Sequence, residues 1–393
     1  MQWVSTLSTA VSLEAAVNDL AMQVQRGDRP LSRPWSVGLL FASSSFGSDF
    51  PRLLPLLAER LPVAQLVGCS GGGIVGSGQE LEGVPALSLL VGDVPGAILQ
   101  GFHLEENQVP DLDSPPQRWH EAIGVNPTLT PDFVLLADPF SFPISDFLSG
   151  LDFAYPQSVK VGGLAGGGMG QNALFANGRL YRSGLVGLAV AGSLKLDAVV
   201  AQGCRPIGKP MYVSKCERNI LLAVDDRPPL EVLQETVAGL SEGDQRLAQH
   251  SLFLGLVNDE FFKQEVGPGD YLIRNILGGD PQTGAIAIAD RLRPGQRVQW
   301  HLRDAQASAE DLKAVLQRYR QAQPQTPTAA VLFSCLGRGE GLYQEPNHDS
   351  RVFGAEIGAI PLGGFFCNGE IGPVGTATFL HGYTSAFGLL RAR

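Results

Sequence analysis

A pattern that returns four times limits the folds open to this chain: an apolar stretch leads to a glycine-rich loop, and a second apolar stretch follows. The first stretches begin at residues 35, 133, 251 and 329, and the glycine loops begin at residues 68, 162, 278 and 363. Continuous apolar runs are typical of strands covered on both faces of a sheet. Glycine between two strands favours a hairpin turn. The pattern predicts two halves, each holding two strand–helix–strand units with a glycine turn and a further strand.

This arrangement defines the expected fold class. The unequal spacing of the units argues against a solenoid of fixed period, and local hairpins predict mixed rather than purely parallel sheets. We therefore predict the α/β (mixed α+β) class, with duplicated strand–helix–strand units, glycine-rich hairpin turns and layered mixed sheets flanked by helices. A proline- and glycine-punctuated junction begins at residue 204, so the predicted domains are 1–204 and 205–393.

Composition and charge limit the classes of partner that we expect this protein to bind. The 393 residues are 44% hydrophobic and 17% charged, as in a globular protein that buries large cores. A formal net charge of -10 disfavours nucleic acid and anionic membranes as main partners, because both require a basic face. No apolar run reaches the roughly 18 residues of a membrane span, and the N-terminus lacks a basic signal-peptide region. Its first helix is predicted between Ser12 and Gly27. We expect a cytoplasmic protein.

Cysteine and histidine spacing predicts no metal site and no cofactor. The five cysteines are scattered without a C-x-x-C pair, which indicates neither a zinc ribbon nor a disulfide framework. Reduced thiols fit a cytoplasmic location. The six histidines never pair at helical spacing. Cys69 and Cys367 lie in equivalent glycine turns, where they act either as small buried residues or as reactive thiols, which would require a lowered pKa.

The first glycine loop carries two catalytic-type patterns. Residues 68–72 fit G-x-S-x-G with Ser70 as nucleophile, and residues 71–76 fit G-x-G-x-x-G. Both motifs require a helix directly afterwards, and the sequence that follows is too rich in glycine to form one. A β-turn is the favoured interpretation. Glycine nests still bind anions through backbone N–H groups, so Gly71, Gly72 and Gly73 are candidates for contact with a ligand carboxylate or phosphate.

The fourth glycine loop holds the most distinctive polar residues. Glu370 follows Asn368 and Gly369, and His381 lies downstream. A desolvated carboxylate is costly unless it is paired or hydrogen-bonded. In one hypothesis Glu370 accepts backbone hydrogen bonds and fixes the turn. In the other it meets a cationic or hydroxyl group of a ligand, with Asn368 and His381 supplying polar groups. Both can hold for one residue.

Several segments resemble FIST proteins (F-box and intracellular signal transduction). The runs CNGEIGPVG and FLHGYTSAFGLL resemble the C-terminal signature of the family, and LVGCSGGGIVGSG resembles its N-terminal one. The segment 203–233 is similar to the one that joins the two family domains, and the resemblance extends from about residue 35 to the end. It implies a small-ligand sensory domain of the stand-alone bacterial type. Relatives are fused to signalling modules or lie within F-box proteins, amino acids or derivatives are the ligands proposed for them, and no reaction is established.

The resemblance and the residues together define the expected function. With no kinase, cyclase or F-box segment in the sequence, signalling is expected to pass through a partner protein. The expected pocket forms where glycine turns of the two halves meet, with the ligand amine at Glu370 and its carboxylate at loop N–H groups. Its predicted residues are Glu370, Asn368, Gly369 and His381 with Ser70, Gly71, Gly72 and Gly73. The alternatives are a hydrolase or thiol-dependent transferase using Ser70 or Cys69, and a protein-binding adaptor.

Overall fold

The chain forms two compact units of mixed α+β structure, as predicted for the fold class. The computed structural model describes residues 1–25, 33–167, 171–257, 266–267 and 269–393. Unit 1 comprises Met1–Val200, Lys313–Leu380 and Thr384–Arg393, and unit 2 comprises Ala201–Leu312 and His381–Tyr383. Both units are therefore discontinuous in sequence, and the division into domains 1–204 and 205–393 stays a prediction.

Strands dominate the secondary structure of the described residues. The strands are β1 (Gln2–Ser8), β2 (Trp35–Ser43), β3 (Val63–Gly71), β4 (Gly73–Gly76), β5 (Gln79–Glu82), β6 (Leu87–Asp93), β7 (Ala97–Leu104), β8 (Asp132–Ala137), β9 (Lys160–Leu164), β10 (Leu174–Ala176), β11 (Arg179–Tyr181), β12 (Leu185–Gly192), β13 (Leu194–Gln202), β14 (Cys204–Glu217), β15 (Ile220–Val224), β16 (Leu252–Val257), β17 (Tyr271–Gly279), β18 (Ile286–Ile288), β19 (Arg297–Arg303), β20 (Ala329–Cys335), β21 (Leu362–Cys367), β22 (Glu370–Val374), β23 (Ala377–His381) and β24 (Thr384–Ala392). The helices are α1 (Leu13–Gln25), α2 (Phe50–Arg60), α3 (Pro116–Ile123), α4 (Ile144–Ala154), α5 (Pro229–Ala238), α6 (Glu242–Ala248), α7 (Ala305–Ala322), α8 (Gly339–Tyr343) and α9 (His348–Glu356).

The first helix follows the predicted cap. The Ser12 hydroxyl accepts a hydrogen bond from the backbone N–H of Ala15 at 3.2 Å, and α1 begins at Leu13. The predicted stop at Gly27 lies outside the described residues. Among the helices that the structure describes, none is long and apolar enough to cross a membrane.

Unit 1 is built from three repeats of one topology. Repeat 1 runs from β1 to β6 and repeat 2 from β7 to β12, while repeat 3 begins with β13 and continues, after the unit 2 segment, from α7 to β24. In each repeat the central strand pairs in parallel with the strand after its helix and antiparallel with the last strand: β2 with β3 and β6, β8 with β9 and β12, and β20 with β21 and β24. Three of the four predicted units therefore share one architecture.

The repeats exchange their glycine hairpins in a cycle. Hairpin β4–β5 of repeat 1 pairs with β21 of repeat 3, hairpin β10–β11 of repeat 2 pairs with β3 of repeat 1, and hairpin β22–β23 of repeat 3 pairs with β9 of repeat 2. The sheet orders are β1-β6-β2-β3-β10-β11, β7-β12-β8-β9-β22-β23 and β13-β24-β20-β21-β4-β5. Each six-stranded sheet is thus completed by a hairpin from another repeat.

The sheets are buried on both faces, as their apolar sequences predict. Alternate residues of β2 point to opposite sides: Leu39 and Phe41 join a central core with side chains from all three repeats, while Leu40 and Ala42 join a cluster with α1 and α2. Helices α3 and α4 cover the sheet of repeat 2 in the same way. Unit 1 therefore has layered mixed sheets flanked by helices, as predicted.

Unit 2 contains the third predicted unit, which has a different architecture from the other three. Its strands form a closed barrel in the order β14-β15-β18-β17-β16-β19. Strands β16 and β17, which contain the apolar and glycine stretches of that unit, pair antiparallel. The glycine signature at residues 278 and 279 therefore marks a barrel strand here.

The same close approach between two strands recurs in the three repeats and explains why each has a glycine at the equivalent position. On the second parallel strand of each repeat, an added Cβ would lie 1.8–2.0 Å from a backbone carbonyl oxygen of the central strand. The pairs of glycine and carbonyl residue are Gly68 with Leu40, Gly162 with Leu135, and Gly364 with Leu332. Because the obstructing atom belongs to the backbone, a rotamer change cannot relieve the clash.

We expect the substitution Gly68→Ala to lower the free energy of unfolding by about 3 kcal/mol or more, since the strands must separate to admit the methyl group. Gly354→Ala is the control, because no atom lies within 4 Å of its added Cβ. In helix α9 it should stabilise by about 0.5–1 kcal/mol. Urea unfolding measures both effects. Equal stability of parent and Gly68→Ala would contradict the strand spacing described here.

Candidate functional site

The first glycine loop is a packing junction rather than a nucleophile elbow. Ser70 lies within β3, and the next element is strand β4 rather than a helix. The Ser70 hydroxyl is fully buried and accepts a hydrogen bond from the backbone N–H of Ala173 at 2.9 Å. The N–H of Gly72 donates to the carbonyl of Phe366 at 3.0 Å. That N–H group is therefore engaged, and Gly72 does not present it to a ligand anion in this conformation.

The two candidate thiols are fully buried. Cys69 belongs to the central core, and burial raises the pKa of its thiol well above the ordinary range. Burial also raises the pKa of Cys367, and the neighbouring Glu370 carboxylate adds to that shift. The Cys367 sulfur lies 3.5 Å from Glu370 Oε1. Both environments favour the neutral thiol, whereas a reactive cysteine requires the thiolate.

Glycine turns of the three repeats meet within unit 1. Gly73 of repeat 1 pairs with Phe366 of repeat 3. The N–H of Leu164 in repeat 2 donates to the carbonyl of Gly369 at 2.9 Å, and the N–H of Gly166 donates to the carbonyl of Ser70 at 2.9 Å. The predicted loops at 70–73 and 368–370 are therefore close neighbours.

The remaining predicted residues occupy different environments. Asn368 is exposed and Gly369 is buried at the junction, where Gly71 and Gly73 are buried and Gly72 is exposed. His381 is buried at the end of β23 and belongs to unit 2. Accordingly, the structure places His381 in a different compact unit from Glu370.

Glu370 is fully buried and hydrogen-bonded. Its Oε2 accepts hydrogen bonds from the backbone N–H of Thr384 at 3.1 Å and from the Thr384 hydroxyl at 2.8 Å. Loss of solvent raises the pKa of Glu370 to about 7, and the hydrogen bonds from Thr384 only partly oppose that shift. The hydrogen bond from the Thr384 N–H is the kind of contact expected if Glu370 fixes the turn. Contact between Glu370 and a ligand remains a prediction.

Glu370 is a charged residue at a position where the other two repeats have an aliphatic side chain. Glu370 pairs with Gly163 across the exchanged hairpin, the residue directly after the close-approach Gly162. At the same register, Ile74 pairs with the residue after Gly364, and Leu174 pairs with the residue after Gly68. Two repeats therefore place an aliphatic side chain where repeat 3 places a carboxylate.

A buried ion pair lies near Glu370. Arg338 Nε donates to Asp349 Oδ2 at 2.9 Å and Nη2 donates to Oδ1 at 3.3 Å, with side chains 0% and 1% exposed. The Ser385 hydroxyl also donates to Asp349. The guanidinium holds the pKa of Asp349 well below its usual range, despite burial. Arg338 Nη1 is buried and has no hydrogen-bond partner among the described residues.

A second buried glutamate enters from the exchanged hairpin of repeat 1. Glu80 Oε1 accepts a hydrogen bond from the N–H of Ser350 at 2.5 Å, in the first turn of α9. Glu80 therefore caps the helix and complements its dipole. Its Oε2 is buried without a hydrogen-bond partner among the described residues. Burial, with the nearby Asp349 charge, raises the pKa of Glu80 to about 7.

These residues form one electrostatic cluster, which we call the charged cluster: Arg338, Asp349, Glu370 and Glu80. The Arg338 charge favours ionisation of Glu370, while the Asp349 charge disfavours ionisation of Glu80. Asp349 pairs directly with the guanidinium, and the charges of this ion pair act on the two glutamates. The cluster offers a buried acceptor at Glu80 and a buried donor at Arg338, both unused within the described chain.

The sequence prediction missed three members of the cluster, Glu80, Arg338 and Asp349. The available signal lay in the repeat pattern: at the edge of β20 and β24, Ser334 and Ser385 stand opposite each other. The equivalent pair in repeat 1 is Ala42 and Leu87. An alignment of the repeats would have revealed polar residues in a layer that is otherwise apolar.

We expect the contribution of Glu370 to the free energy of unfolding to fall as pH rises between about 4.5 and 7. A carboxyl group whose pKa is raised in the folded state binds a proton that the unfolded chain has released, so its stabilising contribution is lost through this window. Glu370→Gln should remove up to about 3 kcal/mol of this pH dependence. Urea unfolding at several pH values measures the slope.

Glu345→Gln is the matched control, since the Glu345 side chain is 42% exposed. It should retain the slope of the parent. If Glu370→Gln kept the same slope as the parent and control, Glu370 would not titrate in this window.

Comparisons with known proteins agree with the motifs of the glycine loops. The model of the FIST N domain matches residues 36–227, and that of the FIST C domain matches residues 229–373. A crystal structure of cyanuric acid hydrolase from A. caulinodans aligns with 10% identity and a TM-score of 0.37, covering 100% of both chains, a similarity too weak to identify the fold.

Curated relatives cover most of the sequence. The uncharacterized protein Rv0628c of Mycobacterium tuberculosis is 35% identical over 356 residues, covering 90% of this chain and 91% of the relative. The uncharacterized protein Mb0898c of Mycobacterium bovis is 32% identical over 356 residues, covering 90% of each. An F-box/LRR-repeat protein of Arabidopsis thaliana, At5g63520, is 31% identical over 133 residues, or 30% of this chain and 25% of that protein. With both domain models matched along most of its length, the chain belongs to the FIST family.

Proposed function

We propose that this chain is a small-ligand-binding sensory protein that recognises an amino-acid-like metabolite and signals through a partner protein. FIST domains are associated with signal transduction. The observation that carries the proposal is the fully buried Glu370, which the charge of the buried Arg338 influences, at a place where the other repeats are apolar.

The fold does not require charges at this place. Replacing buried ion pairs by apolar residues is often neutral or stabilising, by about 1–4 kcal/mol. Ile74 and Leu174 show that the exchanged hairpin accepts aliphatic side chains. The backbone N–H that corresponds to that of Thr384 donates to the hydroxyl of Ser43 in repeat 1 and of Ser141 in repeat 2. A neutral hydroxyl therefore satisfies the same donor elsewhere, which supports a functional role for Glu370.

The unused polar atoms suit a zwitterion. An amino acid carries an ammonium group, which would meet the Glu80 and Glu370 carboxylates, and a carboxylate, which would meet Arg338 Nη1. Arg338 takes the role first expected for the loop N–H groups, because the N–H of Gly72 already donates to Phe366. Charge-assisted hydrogen bonds of this kind are stronger than neutral ones.

Burial of the cluster links binding to a change in structure. Because Arg338 and Glu80 Oε2 are buried, a ligand reaches them only if neighbouring elements move. Glu82 and Glu80, on the hairpin of repeat 1, accept hydrogen bonds from the first turns of α8 and α9. The protein would then exist in a closed state, with the cluster buried, and an open state that admits the ligand. A ligand shifts the equilibrium between these states only by the difference in its affinity for them. The proposed partner reads that shift, in a cytoplasm where the five free cysteines stay reduced.

A thermal-shift screen against amino acids, polyamines, nucleotides and organic acids tests the proposal. A ligand at 100 times its dissociation constant should stabilise the folded state by about 2.7 kcal/mol and raise the midpoint by a few degrees. We expect an amino-acid-like hit that Glu370→Gln weakens by about tenfold or more, because the ammonium loses a charged partner.

The control Glu345→Gln should bind as the parent does. A hit with unchanged affinity in Glu370→Gln would contradict the assignment of the site. No response to any small molecule, together with a protein that co-purifies, would favour the adaptor alternative. Site-selective covalent labelling of Ser70 by a fluorophosphonate, or of Cys69 by iodoacetamide, would favour the enzyme alternative.

A further inference from the structure

We infer that Arg303, in unit 2, forms a second binding site, specific for the oxyanion of a small ligand. Arg303 is the last residue of β19. Its Nε and Nη2 atoms are buried, and neither has a hydrogen-bond partner among the described residues. These two nitrogens lie on one edge of the guanidinium, where their N–H groups run parallel and match the two oxygens of a carboxylate or phosphate.

Three other arginines use this edge of the guanidinium to bind carboxylates. Arg338 uses its Nε and Nη2 for the two oxygens of Asp349. Arg391 uses the same two atoms for Asp197. Arg205 uses them for Asp304 and Asp244. At Arg303 the equivalent edge is buried without an acceptor among the described residues, which is unfavourable unless an acceptor is supplied.

An aromatic wall completes the site. The Arg303 guanidinium carbon lies 5.0 Å from the centre of the Tyr383 ring, and the Tyr383 and Phe253 rings are 4.4 Å apart. The Tyr383 hydroxyl donates to Asn275 Oδ1 at 2.5 Å, which fixes the ring. A cation–π contact engages the face of the guanidinium and leaves its in-plane N–H groups free for hydrogen bonds.

The chemistry points to a small organic acid with an apolar or aromatic body. Its carboxylate would accept from both Arg303 nitrogens, while its body would contact the exposed part of Tyr383. Inorganic phosphate shares the oxyanion chemistry but has no apolar part. This site lies in unit 2 and does not depend on the charged cluster of unit 1, so the two proposals can fail separately.

The test uses the full chain with arginine labelled by ¹⁵N, and acetate, benzoate and inorganic phosphate as probes. The Nε–H resonance of Arg303 is identified by its loss in Arg303→Lys. We expect benzoate to shift this resonance at lower concentration than acetate does. Arg303→Lys keeps the charge but cannot present two parallel donors, so calorimetric affinity for benzoate should fall by about tenfold or more.

Arg297→Lys is the matched control. Arg297 begins the same strand, and its guanidinium carbon lies 5.6 Å from the centre of the Tyr212 ring. This variant should bind benzoate as the parent does, and so should Glu370→Gln. A stronger response to phosphate than to benzoate would support the oxyanion site but favour phosphate over a carboxylate with an apolar body.

Three outcomes would overturn the proposal. The first is an Nε–H resonance of Arg303 that no probe shifts at tens of millimolar. The second is equal affinity of Arg303→Lys and the parent for benzoate. The third is loss of binding in Glu370→Gln but not in Arg303→Lys, which would place the oxyanion in the charged cluster.

Discussion

Hairpin exchange is the constraint on which the rest of unit 1 depends. A sheet that ended at β3, β9 or β21 would expose a strand edge of unpaired N–H and C=O groups, and each edge is instead covered by a hairpin from another repeat. The exchange requires the hairpins to leave their own repeat directly after the parallel strand. The resulting turns must pass close to one another, which explains why glycine is concentrated there.

The same exchange brings charged residues of different repeats together. Glu80 is carried by the hairpin of repeat 1 but caps α9 of repeat 3. Glu370 is carried by the hairpin of repeat 3 and lies against β9 of repeat 2, while it bonds to Thr384 at the start of β24. The charged cluster therefore links all three repeats. Hydrogen bonds of its two glutamates connect the hairpins of repeats 1 and 3 to α9 and β24.

Much of the fold could be predicted from the sequence because it depends on interactions that leave a local pattern of residues. Buried strands gave continuous apolar runs, and the close approach of parallel strands required glycine at Gly68, Gly162 and Gly364. The same local signature also marks β17 of the barrel, so the pattern alone could not separate the third unit from the others. The contact between Glu80 and Ser350 depends on hairpin exchange between distant segments, because the two residues lie 270 positions apart. No short stretch of sequence could therefore predict it.

In unit 1, residues that differ between the repeats are better candidates for function than residues that all three repeats share. Residues that all three repeats share, such as the close-approach glycines, are explained by strand packing. Repeat 3 alone combines the inserted unit 2 segment with a polar layer. Its Ser334 and Ser385 occupy the positions of Ala42 and Leu87 in repeat 1. A triplicated fold needs none of these polar replacements, and each carries a desolvation cost. The proposed sensory site is placed at these replacements in repeat 3, together with Glu80 from the exchanged hairpin of repeat 1.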